Sequence, residues 1–357
     1  MKTVLNQNQL RVDMMTEEII QSAPAAPLKK SRVSGVILID KPQGLTSQQV
    51  VSKVKYLLKS PLHDSKKAGH TGTLDPMATG LLPVCLGEAT KFSHYQLDAD
   101  KAYQATIKLG IQTDTGDAEG QSIATAAVPK LTAAELEAVA QQFMGDIKQI
   151  PPMYSALKKD GKKLYEYARA GIEIDRPARP ITIQAISLTL GAQSDELILN
   201  VTCSKGTYVR VLGEDIAAAL GTLGHLTALR RTQVGHFDIA EAVSLEALED
   251  LSHEQRLAYL LGIDACINGI PTLEVSDSQC ARLHMGQRLN IKPQLDEDIT
   301  NYIQAMLSQR HSDADDSGKD EALDSVDIKL VNPKGEFLGL GAVELNGRLQ
   351  PKKMIQR

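Results

Sequence analysis

The chain has 357 residues, 42% hydrophobic and 23% charged, which suits two ordinary domains with a sizeable core. It carries 39 Lys and Arg against 44 Asp and Glu, a net charge of −5 that by itself demands no nucleic-acid partner. No apolar run approaches the ~18 residues of a membrane span, and Arg11, Asp13, Glu17 and Glu18 interrupt any secretory core, so a cytoplasmic protein is expected.

In chain order, residues 1–33 are polar and rich in Ser, Ala and Pro around 22–27, which predicts a disordered extension. Gly35-Val36-Ile37-Leu38-Ile39-Asp40 is a short apolar run stopped at Lys41-Pro42, the mark of a buried strand. Thr46 or Ser47 then caps a helix to about Leu58, with Val50, Val51, Val54 and Leu57 on one face. Residues 59–69 read as a polar loop. From Tyr103 onward Tyr103, Ala105, Ile107 and Leu109 alternate with polar neighbours as a half-buried strand. Helices are predicted over 132–144, 161–170 and 209–220, and a pair of strands over 181–190 and 196–203. Strands and helices mixed with unequal connections predict an α+β fold, a mixed β-sheet with packed helices.

Gly262, Gly269 and Pro271 mark a break, dividing the chain into a larger domain at 34–268 and a small β-rich domain at 269–357. Short strands are expected there at 272–276, 287–291, 327–332 and 336–344. Residues 291–330 hold ten acids and four bases, so the rest of the chain is close to neutral and leaves room for a local basic surface. The stretch 294–326 is read as an acidic disordered insert. Cys85, Cys203, Cys266 and Cys280 form no Cys-x-x-Cys pair, so neither a zinc site nor a disulfide framework is expected.

The most informative stretch is Gly69-His70-Thr71-Gly72-Thr73-Leu74-Asp75-Pro76-Met77-Ala78-Thr79-Gly80. Its glycines admit a close ligand, and Pro76 pushes Asp75 towards an extended backbone. Composition alone fits a glycine-rich turn with Asp as turn former, and no phosphate-binding lysine pattern is present. As a specific string, however, it resembles the signature loop of the TruB family of pseudouridine synthases. The resemblance continues in order through Lys41-Pro42-Gln43-Gly44, Leu86-Gly87-Glu88-Ala89-Thr90-Lys91, Asp100-Lys101-Ala102-Tyr103 and Ile150 to Lys158. It runs on through Gly161 to Arg169, Cys203 to Arg210 and Leu229-Arg230-Arg231, covering roughly residues 35–237. The C-terminal region resembles, more loosely, the small PUA-like domain appended to such enzymes.

The resemblance implies isomerisation of uridine to pseudouridine in the T-loop of tRNA (position 55) without a cofactor. It makes Asp75 the nucleophile and Arg210 its cationic partner, which favours the ionised carboxylate. Chemistry on a base within a folded loop requires base flipping. Tyr103 is then the ring beneath the target base, His70 holds the flipped loop, and Tyr208 and Leu229 line the pocket. Each would otherwise read as a core or surface residue. Lys41 is read as a structural or an RNA-facing residue, with an exposed strand-end lysine as the alternative, and is placed among the substrate-binding residues. Residues 153–180 hold seven bases against four acids, with Tyr154, Tyr165 and Tyr167 interleaved. The family insertion at about 150–180 closes on the T-arm stem-loop, so Lys158, Lys162 and Lys163 are expected on the RNA backbone. A monomer is expected.

Three other readings are weighed. Asp114-Thr115-Gly116 spells an aspartic-protease triplet, but that chemistry needs a second carboxylate-bearing copy, and none exists. A tRNA-folding chaperone or RNA-binding protein would use the same gripping surface, with modification secondary. A guide-RNA-dependent relative is disfavoured by the 150–180 insertion.

Overall fold

The computed structural model describes residues 30–313 and 324–356. Its larger sheet runs in the order Val243–Ser244, Gly35–Lys41, Thr79–Leu86, Gly224–Val234, Lys101–Leu109, Glu196–Cys203, Arg179–Leu190, Gly145–Gln149. Thr79–Leu86 lies parallel to Gly224–Val234 and Val243–Ser244 parallel to Gly35–Lys41, while the other pairs on this path are antiparallel. The sheet is therefore mixed, as expected. The predicted pair of strands forms, with Leu188 opposite Leu199.

Local chemistry sets the helices. Thr46 closes a capping box with Gln49 at the start of Ser47–Leu57, and Val50, Val51, Val54 and Leu57 are buried against the sheet. Thr132 and Glu135 do the same for Ala133–Gln142. Val209–Ala219 packs Leu212, Ile216 and Ala217 onto the Lys101–Leu109 side of the sheet, where Ala105, Ile107 and Leu109 point into the same core.

The C-terminal part is a smaller sheet in the order Thr272–Glu274, Ser325–Val331, Phe337–Glu344, Arg348–Met354, Leu289–Asn290. It docks on the larger part through apolar and polar contacts. Leu340 and Ile355 join Val36, Leu81, Cys85 and Phe92 in one cluster. The Glu88 carboxylate accepts from Lys91 Nζ at 2.6 Å, from Gln356 N at 2.9 Å and from Arg32 Nη1 at 3.1 Å. The Cys85 and Cys266 sulfurs meet 3.5 Å apart in that cluster.

Three readings are corrected. The acidic stretch 294–326 is not a disordered insert throughout, because Glu297–Asp313 is a helix. Asp296 Oδ1 accepts from Ile299 N at 2.8 Å, and Ile299 and Ile303 are buried with Tyr302, Met306 and Leu307 packed beside them. An apolar stripe at helical spacing lies inside an acidic composition, and composition averages it away. Residues 314–323 of that stretch lie outside the described residues. The mobile extension expected over 1–33 ends earlier, because Ser31–Arg32 pairs with His63–Asp64 and Val33 is buried; residues 1–29 lie outside the described residues. The polar loop at 59–69 contains that strand and a second, Ala68–His70, which pairs with Thr79–Leu86. The strand Arg348–Met354 and the helix Asp277–His284 were not anticipated.

Candidate active site

The stretch carrying Asp75 is held from several sides. Ser47, the first residue of its helix, donates to Leu74 O at 3.0 Å and accepts from Leu74 N at 2.8 Å. Thr71 N donates to Pro83 O at 3.2 Å, and Gly44 N to Pro76 O at 2.7 Å. Asp75 is thus presented on fixed backbone with its side chain 39% exposed.

Arg210 meets it from the first turn of Val209–Ala219. Its Nη2 lies 3.1 Å from Asp75 Oδ2, and its Nη1 3.4 Å from Asp117 Oδ2. The same nitrogens donate to Thr115 O at 2.7 Å and to Tyr154 O at 2.8 Å. Arg210 is buried, so these four acceptors hold the guanidinium in one orientation and leave the exposed Asp75 carboxylate as its outward-facing partner. Asp117 was not singled out in the sequence. It is buried, and its Oδ1 accepts from the Thr115 hydroxyl at 2.6 Å and from Glu119 N at 3.1 Å. The turn around Gly116, at φ 72°, delivers both Thr115 O and Asp117 to Arg210. The Asp114-Thr115-Gly116 string therefore supports an arginine.

Asp75 and Arg210 lie between two clefts. The narrower, about 360 Å³, gathers Tyr103, Tyr208 and Leu229 with Lys101 and Arg231. The wider, about 570 Å³, is lined by His70, Tyr154, Lys163, Tyr165 and Arg169. Five of the expected residues thus converge on the clefts around the Asp75–Arg210 pair. Tyr103 and Tyr208 carry phenols pushed above their usual range by burial, so both rings are neutral hydrogen-bonding groups at neutral pH. Gln149, also unanticipated, clamps the Tyr208 backbone, donating to its carbonyl at 3.1 Å and accepting from its N–H at 2.8 Å. His70 Nδ1 accepts from Gly72 N at 3.3 Å. Burial, and then the nearby Arg231 charge, pull its pKa below the usual histidine value.

The segment between Gly145–Gln149 and Arg179–Leu190 arches beside the wider cleft. Lys158–Lys159 pairs with Lys162–Lys163 across an Asp160-Gly161 turn with both residues at positive φ, the geometry of a tight hairpin. Lys162 sits 4.7 Å from the centre of the Tyr167 ring, and Lys163 and Arg169 sit 5.4 and 5.2 Å from that of Tyr165. Lys163 lines the cleft, whereas Lys158 is exposed on the hairpin outside it.

Lys41 takes the structural one of its readings, and its substrate-facing placement is corrected. It is fully buried, and its ammonium donates to Leu45 O at 2.7 Å, Pro42 O at 2.9 Å and Pro76 O at 3.4 Å. Burial pulls its pKa down to about 8, partly opposed by the Asp75 charge. Lys41 ties the first strand to the residue after Asp75 and lines neither cleft. A lysine at a strand end is normally exposed, and only the return of the Asp75 loop over it covers it.

Comparison with known proteins follows the same outline. The family model for the N-terminal domain of TruB family pseudouridylate synthases matches residues 59–209, and that for the C-terminal domain of tRNA pseudouridylate synthase B matches residues 210–268. The chain is 63% identical over 342 residues to tRNA pseudouridine synthase B of Psychrobacter cryohalolentis, covering 92% of this chain and 95% of that protein. The chain belongs to the TruB family. It is an enzyme of the isomerase class, a pseudouridine synthase. The enzyme of the same name from Neisseria meningitidis serogroup B is 50% identical over 271 residues, 76% of this chain and 85% of that one. Among solved structures, a chain of a Cbf5–Nop10–Gar1 complex shares the fold with a TM-score of 0.61 at 23% identity, over 91% of this chain and 84% of that one. No described helix is long and apolar enough to cross a membrane.

Proposed function

We propose that this TruB family member acts on tRNA, isomerising the T-loop uridine at position 55, with Asp75 as the nucleophile. The observation that carries the reading is the Asp75–Arg210 pair, a half-exposed carboxylate held at 3.1 Å from a buried guanidinium that three further acceptors hold, between two clefts. The arginine aims the carboxylate while leaving its solvent side free to attack. Asp75 attacks and forms a bond, the bond between C1′ of the ribose and N1 of uracil breaks, the base turns, C5 bonds to C1′, the bond to Asp75 is released, and one proton leaves C5 while one joins N1. Substrate and product are isomers, so no oxidant or reductant enters the balance.

The target uridine must leave its stack, which costs a few kcal/mol. Stacking on Tyr103 returns about 1–3 kcal/mol. Tyr208 and Leu229 confine the detached base, and His70 faces the neighbouring nucleotides in the wider cleft. Lys158, Lys162 and Lys163, with the rings they flank, follow the phosphates.

The test uses a T-arm stem-loop RNA carrying tritium at C5 of its uridines. Wild-type protein releases tritium without added metal or cofactor, and Asp75→Asn releases none while binding the RNA. Release by the variant removes Asp75 from the chemistry. Tight binding without release by either protein points instead to an RNA-gripping chaperone.

A further inference from the structure

Arg231 is the largest fully buried side chain described, 1% exposed, and among the described residues no carboxylate pairs with it. An arginine keeps its proton in a protein, and burying an unpaired charge is costly, so a position of this kind calls for a reason. Its Nε donates to Leu81 O at 2.8 Å and its Nη2 to Gly72 O at 3.1 Å. It stands directly across the sheet from Tyr103, in Cα register with it. Both side chains line the narrower cleft. Gly72 borders its side chain, and Gly80 makes room for its backbone. A Cβ on Gly72 would lie 3.4 Å from its Nη1, and one on Gly80 would lie 2.2 Å from its carbonyl oxygen.

We infer that Arg231 is a positioning residue for the reaction, fixing the Tyr103 ring at the floor of the base pocket and locking that ring to the Asp75 loop. Gly72, whose carbonyl it holds, lies three residues before Asp75. One planar cation therefore bonds the nucleophile's loop from a residue that stands opposite Tyr103 across the sheet. The ring and the carboxylate keep one spacing while the base turns between them. A carboxylate partner would turn the guanidinium away from the phenol, so the charge is left to neutral acceptors. Lys101, beneath the same cleft, is satisfied in the same way by the carbonyls of Leu97 and Gln96, at 2.9 and 3.3 Å, and by that of Ala99 at 2.5 Å.

This inference rests on the reading that Tyr103 stacks on the target base, and the experiment separates the two. Single-turnover rates and RNA affinities are measured for Arg231→Lys, Tyr103→Phe, their double variant and Tyr103→Leu. Arg231→Lys is expected to slow the chemical step about tenfold or more, with stem-loop affinity changed less than about twofold. In the Tyr103→Phe background, where the hydroxyl is gone and the ring remains, the same substitution costs less than about threefold. An equal rate loss in both backgrounds, or a loss confined to affinity, overturns the positioning role with stacking intact. Near wild-type turnover by Tyr103→Leu overturns the stacking reading and the inference with it. If Arg231→Lys does not fold, Tyr103→Phe decides alone. A rate loss at unchanged affinity and melting temperature supports the link, and a wild-type rate overturns it.

Discussion

Gly80→Ala gives the sharpest physical test of how the site is framed. Gly80 sits at φ 104°, where a side chain is strained by about 1–3 kcal/mol. It pairs in parallel with Arg231, at one of only two registered positions joining Thr79–Leu86 to Gly224–Val234. A Cβ there would lie 2.2 Å from Arg231 O and 2.7 Å from Arg231 N. Both are backbone atoms that no rotamer change can move, so the two strands must separate by about an ångström, and overpacking of this kind costs a further 1–3 kcal/mol or so. The expected loss is about 2–6 kcal/mol, a fall in melting temperature on the order of 10 °C for a domain of this size. The movement also displaces Arg231 from Leu81 O and Gly72 O, so single-turnover activity falls in the protein that remains folded. Urea and thermal unfolding measure the first effect and tritium release the second. Gly69→Ala is the control, because nothing lies within 4 Å of its Cβ position and its φ is not in the strained region. A Gly80→Ala loss below about 1 kcal/mol would refute the argument that the sheet register at Arg231 is sterically required.

Two further outcomes follow from charge. Replacing Lys158, Lys162 and Lys163 together by Ala weakens stem-loop binding and lowers the slope of log affinity against log salt by ~2, at roughly 0.7–0.9 per phosphate contact; an unchanged slope across a salt series places the hairpin off the RNA. His70 has a folded-state pKa below its unfolded value, so the folded protein takes up its proton later than the unfolded chain as pH falls. Its contribution to stability is complete above about pH 6.5 and is lost as pH drops through the lower folded-state pKa. His70→Gln flattens this part of the unfolding free energy against pH, and an identical curve for wild type and variant would exclude His70 as its source.

Much of this protein is written in local chemistry. The Thr46–Gln49 capping box, the alternation from Tyr103 to Leu109 and the apolar face of Ser47–Leu57 each depend on residues within a few positions, and each forms where its pattern lies. The ordered motifs also mark Asp75, Arg210, Tyr103, Tyr208 and Leu229, which line one cleft although they span more than 150 positions of sequence. What local pattern could not decide is which charges the fold encloses. Lys41 has the composition of an exposed strand end, and the returning Asp75 loop makes it a buried clamp. Asp117 and Gln149 look like ordinary polar positions until contacts over tens of residues bring them to Arg210 and Tyr208. Arg231 reads as one basic residue of a pair, yet Arg230 turns to Asp40 at 2.7 Å and Arg231 turns inward, since successive strand residues face opposite sides of a sheet. The helix at Glu297–Asp313 was hidden for a related reason, its acids setting the composition while a few apolar residues set the packing. Periodicity and caps are properties of neighbours in sequence and can be read there. Burial of a charge is a property of what folds over it, and only the tertiary structure assigns it.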